Sequence, residues 1–378
     1  MADLLISMDF PPHKDGITTL AAELAKRLGA SGGLVVIGPS APGAAAFDRG
    51  QPYIVYRSPL YEWGYAKLIP LIFLVPYVVL RHRIRRIIAT NIGYGGVLAY
   101  ALSRVVPLTY IITAQGYEFL KFKDNAVVRK IYLTAYAHAR RIIACSGYVK
   151  ELLAGFGVDA ARIEVAYPGV DMDRYRPVDS VPDEWTRRYG LKGRKVLLTV
   201  GRLVERKGHA YVLRALPRVL KEIPGLVYLI VGKGPEKPAL ERTVAELGLG
   251  DTVRFLGEVP DGELLYLYNA CDAFVMPSRN IERDGHVEGF GIVFVEASAC
   301  GKPVIGGRHG GIPEAILDGE TGLLVDPSDE KDIAEKIIAI LKDPSYAKTL
   351  GGNGLRRARA ECNWDSYAER FRRALEPA

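Results

Sequence analysis

At 378 residues, with 49% hydrophobic and 25% charged residues, the chain is too apolar for a disordered protein and too long for a single core, so a folded protein of two domains is expected. The formal charge of +7 points to anionic partners such as nucleotides, phosphates, acidic lipids or nucleic acid, or to plain solubility. Four scattered cysteines, Cys145, Cys271, Cys300 and Cys362, show no metal-ligand spacing and favour reduced thiols in a cytoplasmic setting over a disulfide framework.

The amino terminus opens with an acidic residue and a short apolar run, which does not read as a cleavable signal. DLLISMDF (Asp3 to Phe10) has the pattern of a buried strand, and ITTLAAELAKRLGA (Ile17 to Ala30) has helical spacing. GLVVIG, YIVYR, RRIIATN, LTYIITAQG and RIIACS follow as β-branched runs separated by helix-length segments. That alternation is the βαβ rhythm of a parallel sheet covered on both faces. It pauses at YPGVDMDRYRPVDSVPDEW (167–185), which reads as a linker.

The rhythm then restarts with KVLLTVGRL, LVYLIVGKG, TVRFLGEV, AFVMPS, KPVIGG and TGLLVDP. The expected architecture is α/β: two doubly wound parallel-sheet domains, residues 1–170 and 171–362, facing across a cleft. The last segment, NWDSYAERFRRALEPA, is helical, and its part from about 363 to 378 is expected to belong to either domain or to pack back on the first.

In EGFGIVFVEASACGKPV (Glu288 to Val304), Glu288 precedes a helix-like run and Glu296 lies eight residues on, with Gly301 as its cap. The first turn near Gly291 and Ile292 would aim free N–H groups at the crevice, an anion site. Ionised carboxylates accept from hydroxyls and bind diols well, so one glutamate for a sugar and one for a ribose explains the pair. Two glutamates eight apart are also commonplace in any helix. VGRLVERKGH (Val200 to His209) places Arg202 and Lys207 beyond a strand end, suited to a diphosphate or to a plain solvated basic loop. Gly16, after the first strand, lets backbone approach a phosphate.

VGRLVERKGH, the EGFGIVFVE pair, KPVIGGRHGGIPE and DGETGLLVDP together resemble the retaining nucleotide-sugar glycosyltransferases of family 4, of GT-B fold with two Rossmann-like domains. The resemblance spans nearly the whole chain and is densest from Val200 to Pro327. It implies that Arg202 and Lys207 hold the donor diphosphate, that Glu288 bonds the donor sugar, and that the backbone from Phe290 through Gly291 and Ile292 to Val293 touches sugar and phosphates. It also implies that Glu296 takes the ribose hydroxyls and that Gly16 lies against the phosphates. The implied substrates are a nucleotide-diphosphate sugar and an acceptor glycan, lipid or small molecule, the acceptor bound mainly by the first domain. The resemblance implies transfer with retention, no required metal, no separate cofactor and no nucleic-acid partner. At Gln115 many relatives carry a histidine; glutamine donates and accepts hydrogen bonds but does not titrate near neutrality, which leaves orientation of the sugar as its role.

Asp171 to Asp173 spell the metal-binding DxD of other glycosyltransferases, yet the stretch follows a Pro-Gly pair where aspartate is ordinary turn chemistry. GYGGVL (Gly93 to Leu98) misses the dinucleotide-binding spacing, and the histidines lack zinc-site spacing. LIPLIFLVPYVVLRHRIRR (68–86) has two readings: an interfacial helix with basic residues meeting anionic lipid at the inner face of a membrane, or a core helix ending in a basic turn. Two further classes stay open for the whole protein: an epimerase or phosphorylase of the same architecture, and a non-catalytic sugar-nucleotide or lipid-binding protein.

Overall fold

The computed structural model describes residues 2–13, 16–30, 32–59, 68–120, 124–281 and 287–376. It divides into two compact units, residues 1–168 with 364–378, and residues 169–363.

The first unit is built on seven strands: β1 (Asp3–Ile6), β2 (Leu34–Pro39), β3 (Ile54–Ser58), β4 (Arg86–Ala89), β5 (Thr109–Ala114), β6 (Arg141–Ala144) and β7 (Ile163–Val165). Their order is β3-β2-β1-β4-β5-β6-β7, every neighbouring pair parallel. Both faces are apolar: Leu4, Ile6, Ile87, Ile112 and Ile142 belong to one core, and the alternate residues Leu5, Ile88, Ile111 and Ile143 are buried as well. Burial on two faces is why these strands read as continuous apolar runs rather than alternating ones. The chain steps from β1 out to β2 and β3 and returns on the other side at β4, so the sheet reverses direction between β1 and β4. The short strand β7 has no apolar run in the sequence; only its pairing with β6 creates it.

The second unit has β8 (Val196–Val200), β9 (Val227–Val231), β10 (Val253–Gly257), β11 (Ala273–Met276), β12 (Val304–Gly307) and β13 (Gly322–Val325). They order as β10-β9-β8-β11-β12-β13, again all parallel, with the reversal between β8 and β11. One core gathers Leu197, Tyr228, Ile230 and Val275 from the sheet with Val212, Leu216, Ile333 and Ile337 from the helices His209–Glu222 and Glu330–Lys342. In such sheets ligands bind outside the carboxyl ends of the strands at the reversal.

Two expectations need correction. The stretch 167–185 does hold the boundary between the units, at 168/169, yet it is not free along its length, because Tyr175, Arg176, Val178 and Trp185 are tied to the second unit. Tyr175 meets Tyr268 edge-on at 5.6 Å, Trp185 stacks on Tyr266 at 5.7 Å, and the Asn269 side chain accepts from the Val178 amide and donates to the Arg176 carbonyl. The segment 68–86 is not one element either: a helix covers Leu68–Arg81, while Arg86 starts β4 and pairs with Asp3 at 2.6 Å. That helix buries one face only.

The carboxyl-terminal helix Trp364–Leu375 belongs to the first unit, against the helix Gly16–Gly29 and β5. Trp364, Tyr367 and Phe371 are buried, Arg27 donates to Asp365 at 2.7 Å, and Arg140 donates to the Ala374 carbonyl at 3.1 Å. Phe371→Ala is expected to cost that unit about 3–5 kcal/mol in chemical denaturation, since the ring is wholly enclosed and its removal leaves a cavity.

Candidate active site

The loop after β8 supplies three cations. Arg202 is exposed, while Arg206 and Lys207 lie in the short turn Glu205–Lys207, with Lys207 buried. Gly208 closes that turn at φ 75°, and a Cβ there would stand 2.2 Å from the Pro277 carbonyl oxygen, so only glycine lets this loop press against the loop after β11. Arg279 locks the two loops from the other side. Its amide donates to the Arg206 carbonyl at 2.8 Å and its guanidinium bonds Glu205 at 2.6 Å and the Tyr211 hydroxyl at 2.9 Å.

Glu288 arrives from the β11 side. Its Oε2 accepts from Arg206 Nη1 at 2.5 Å and from Lys207 Nζ at 2.6 Å, with about one-eighth of the side chain exposed. Burial alone would raise the Glu288 carboxyl, but the Lys207 and Arg206 charges and their hydrogen bonds outweigh it and hold the group at about 2. Burial, opposed by Glu288 but aided by the Arg206 and Arg202 charges, lowers the Lys207 ammonium from its ordinary value. Beside it His209 is driven down to about 3 by burial and by the Lys207 charge, so its ring is neutral at ordinary pH. Two cations against one carboxylate, with Arg202 nearby, leave an electropositive site at the sheet's reversal.

The backbone of Glu288 is pinned as well, its carbonyl accepting from the Gly311 amide at 2.9 Å within the KPVIGGRHGGIPE stretch. Gly291 caps the helix Ile292–Ala299 at φ 95°, and a Cβ would meet the Phe294 ring at 2.6 Å. Phe290 is buried, and Ile292 and Val293 form the helix's first turn. This places the helix amino terminus next to the cation loop, the arrangement that suits phosphate oxygens. Farther along, Glu296 Oε2 accepts from the buried Tyr268 hydroxyl at 2.7 Å.

Arg202, Lys207, Glu288, Phe290, Gly291, Ile292, Val293 and Glu296 all belong to the second unit. Gly16 and Gln115 belong to the first. Gly16 begins the helix Gly16–Gly29, with Lys14 and Asp15 outside the described residues. Gln115 follows β5 beside Ile17, Thr90, Thr113 and Tyr367, and its backbone N–H donates to Glu118 Oε1 at 2.8 Å. Asp171 Oδ1 accepts from the amides of Asp173 and Arg174, the turn role that DMD has in this chain.

Sequence reasoning missed Arg206, which stood in the quoted VERKG run and was passed over for its neighbour. It missed Tyr268, whose partner lies 28 residues away and leaves no local signal. Glu118 was also missed. This carboxyl is buried, its Oε2 has no hydrogen-bond partner among the described residues, and burial, against hydrogen bonds from the amides of Gln115, Glu118 and Gly116 and with the Asp9 charge in support, raises it to about 7.

Glu288→Ala leaves the buried Lys207 unpaired and is expected to cost about 3–5 kcal/mol in chemical denaturation. Because the Glu288 pKa is depressed, its stabilisation is complete above the ordinary carboxylate value of 4.5 and is lost only as pH falls through about 2. A pH titration of wild type and Glu288→Gln should therefore differ in slope only in that acid window. Glu118 has the opposite sign: its contribution is present below pH 4.5 and disappears as pH rises through about 7, so Glu118→Gln should flatten the stability profile between those values.

With this geometry established, comparison with known proteins is informative. Residues 182–357 match the family model described as glycosyl transferases group 1, and residues 14–174 match that of glycosyltransferase family 4. A GDP-mannose-dependent alpha-(1-6)-phosphatidylinositol monomannoside mannosyltransferase of Mycolicibacterium smegmatis is 31% identical over 98% of this chain and 97% of its own. Among solved structures, HepE of Anabaena, in complex with UDP and glucose, superposes with a TM-score of 0.83 at 21% identity over 99% of both chains. Sucrose-phosphate synthase from Thermosynechococcus elongatus does so with a TM-score of 0.81 at 24% identity over 98% of this chain and 97% of its own. The two parallel-sheet units are those of the GT-B fold, and the protein belongs to the group 1, family 4 glycosyltransferases.

Proposed function

We propose that the protein transfers mannose from GDP-mannose to a hydroxyl of a lipid-linked acceptor, with retention at the anomeric carbon and without a metal ion. The observation that carries this reading is the half-buried Arg206–Lys207–Glu288 cluster beside the amino terminus of the helix Ile292–Ala299. The choice of nucleotide, sugar and acceptor follows the relative that is similar over nearly its full length.

In this reading the acceptor oxygen bonds to the anomeric carbon as that carbon's bond to the diphosphate oxygen breaks, and the hydroxyl proton passes to the departing phosphate. Negative charge grows on the diphosphate, where Arg202, Lys207 and the first-turn amides near Ile292 offset it. Glu288 keeps Lys207 protonated despite its burial and offers Oε1 to a sugar hydroxyl, that oxygen having no protein hydrogen bond among the described residues. Glu296 takes the ribose diol, oriented by Tyr268. For Gly16 and Gln115 the roles are those of the family pattern, phosphate approach and sugar orientation.

The test is acceptor-dependent release of GDP from GDP-mannose, with the anomeric configuration of the product read by proton NMR. Arg202→Ala is expected to lower kcat/KM by about 10²–10³-fold, the usual scale for one preorganised donor, and Gln115→Ala to reduce it as well. Isomerised sugar nucleotide without acceptor would make the protein an epimerase, and binding without release would make it a binding protein.

A further inference from the structure

The chain leaves β5 through Gln115 and Gly116, the latter at φ 99°, into a short helix over Tyr117–Leu120. This loop is held from two sides. Phe119 is buried in the core of the first unit, its ring centroid 4.4 Å from that of Phe156. Glu118, only 5% exposed, turns its carboxyl back on the loop. Its Oε1 accepts from the Gln115 backbone N–H at 2.8 Å, and the N–H groups of Gly116 and Glu118 bond the same carboxyl. Three backbone donors converging on one side chain form a nest suited to an anion, and an ionised acceptor holds such bonds roughly twice as strongly as a neutral one.

What the loop presents is Gln115. The residue lines a small cavity with Ile17, Thr90, Thr113 and Tyr367 at the carboxyl ends of β4 and β5, and its carboxamide makes no hydrogen bond among the described residues. Thr90 and Thr113 are engaged elsewhere, their hydroxyls donating to the carbonyls of Ile6 and Thr90. The direction of the Gln115 side chain is therefore set by its backbone, and that backbone is tied to Glu118.

No cation among the described residues bears on Glu118. The groups that reach it are Asp9, in the loop after β1 and of the same sign, and the hydroxyl of Tyr136 on the helix Ala126–His138, with Tyr132 beyond it. Glu118 Oε2 and the Tyr136 hydroxyl are both buried without a hydrogen-bond partner among the described residues. A neutral side chain would occupy this place at lower cost, so the backbone N–H groups are what the charge serves. Burial and Asp9 acting against those N–H groups leave the carboxyl at about 7, where both forms are populated near neutrality.

We propose that Glu118 is a positioning residue for Gln115, its carboxylate tying the backbone from Gln115 to Glu118 and thereby setting the direction of the Gln115 carboxamide. The kinetic consequence rests on the reading of Gln115 as the group that orients the donor sugar. The chain holds two glutamines, Gln51 and Gln115, so protein labelled with 15N-glutamine gives two backbone amide signals, and Gln115→Ala shows which is which. The Gln115 amide should shift with pH, its midpoint at about 7, and should stay fixed in Glu118→Gln. In the wild type kcat/KM for GDP release from GDP-mannose should rise with pH through the same midpoint to a plateau. Glu118→Gln should lose that rise and run about tenfold below the plateau, the scale of one weakened charge-assisted hydrogen bond. In a Gln115→Ala background it should lower kcat/KM no further, because the two residues act as one unit. Above neutral pH Glu118→Gln should melt no lower than the wild type, since it buries no charge. A Gln115 amide that ignores pH, or one that still titrates in Glu118→Gln, would overturn the proposal. So would a tenfold loss from Glu118→Gln that persists in the Gln115→Ala background. Absence of GDP release at every pH, with the amide titrating only in the wild type, would sink the transferase reading instead and support the positioning role.

Discussion

The carboxylate of Glu288 is the constraint on which the second unit's site depends. It bridges Arg206 and Lys207 across the point where the sheet reverses, joining the loop after β8 to the loop after β11. A buried ammonium without that carboxylate would shed its proton or its burial, and a buried carboxylate without the two cations would take one up. Each therefore holds the other in its charged form. The pairing also fixes the backbone that enters the helix Ile292–Ala299, because Glu288 and Gly291 are three residues apart and the Glu288 carbonyl is itself tied to Gly311. A site for a doubly charged leaving group needs cations that are close, desolvated and unable to relax, and this cluster supplies them.

The two units handle charge differently. The second is close to neutral overall and concentrates its functional charge in one partly enclosed group, with arginines elsewhere committed to structural pairs such as Arg279 with Glu205. The first holds the chain's basic surplus in its sequence and keeps a carboxyl, Glu118, enclosed beside β5. A near-neutral unit with a focused positive site suits a small anionic ligand bound at fixed geometry.

Much of this was legible from residues alone. Among the described residues, twelve of the thirteen strands coincide with β-branched runs, because a parallel sheet buried on both faces leaves its mark as uninterrupted apolarity. The thirteenth, β7, is a three-residue edge strand made by its neighbour. Glu288, Lys207 and Gly291 stand out in the sequence because glycine and charge at fixed spacing around a strand end constrain what the backbone can do. The segment 167–185 misled because prolines and aspartates give the composition of a linker, while Tyr175 and Trp185 bury themselves against Tyr268 and Tyr266, partners far along the chain.

What the sequence by itself determined is the kind of fold and the chemical character of the site, since periodicity, glycine placement and charged motifs are local properties. What only the tertiary structure decided is pairing and facing. It joined Arg206 and Lys207 to Glu288 rather than leaving them to solvent, gave Glu296 the hydroxyl of Tyr268, and placed the carboxyl-terminal helix in the first unit. It also turned half of an apolar helix outward. The physical reason is the same throughout: which groups share a low-dielectric pocket, and which apolar side chains find no partner, depend on contacts between residues distant in sequence, and no local pattern encodes those.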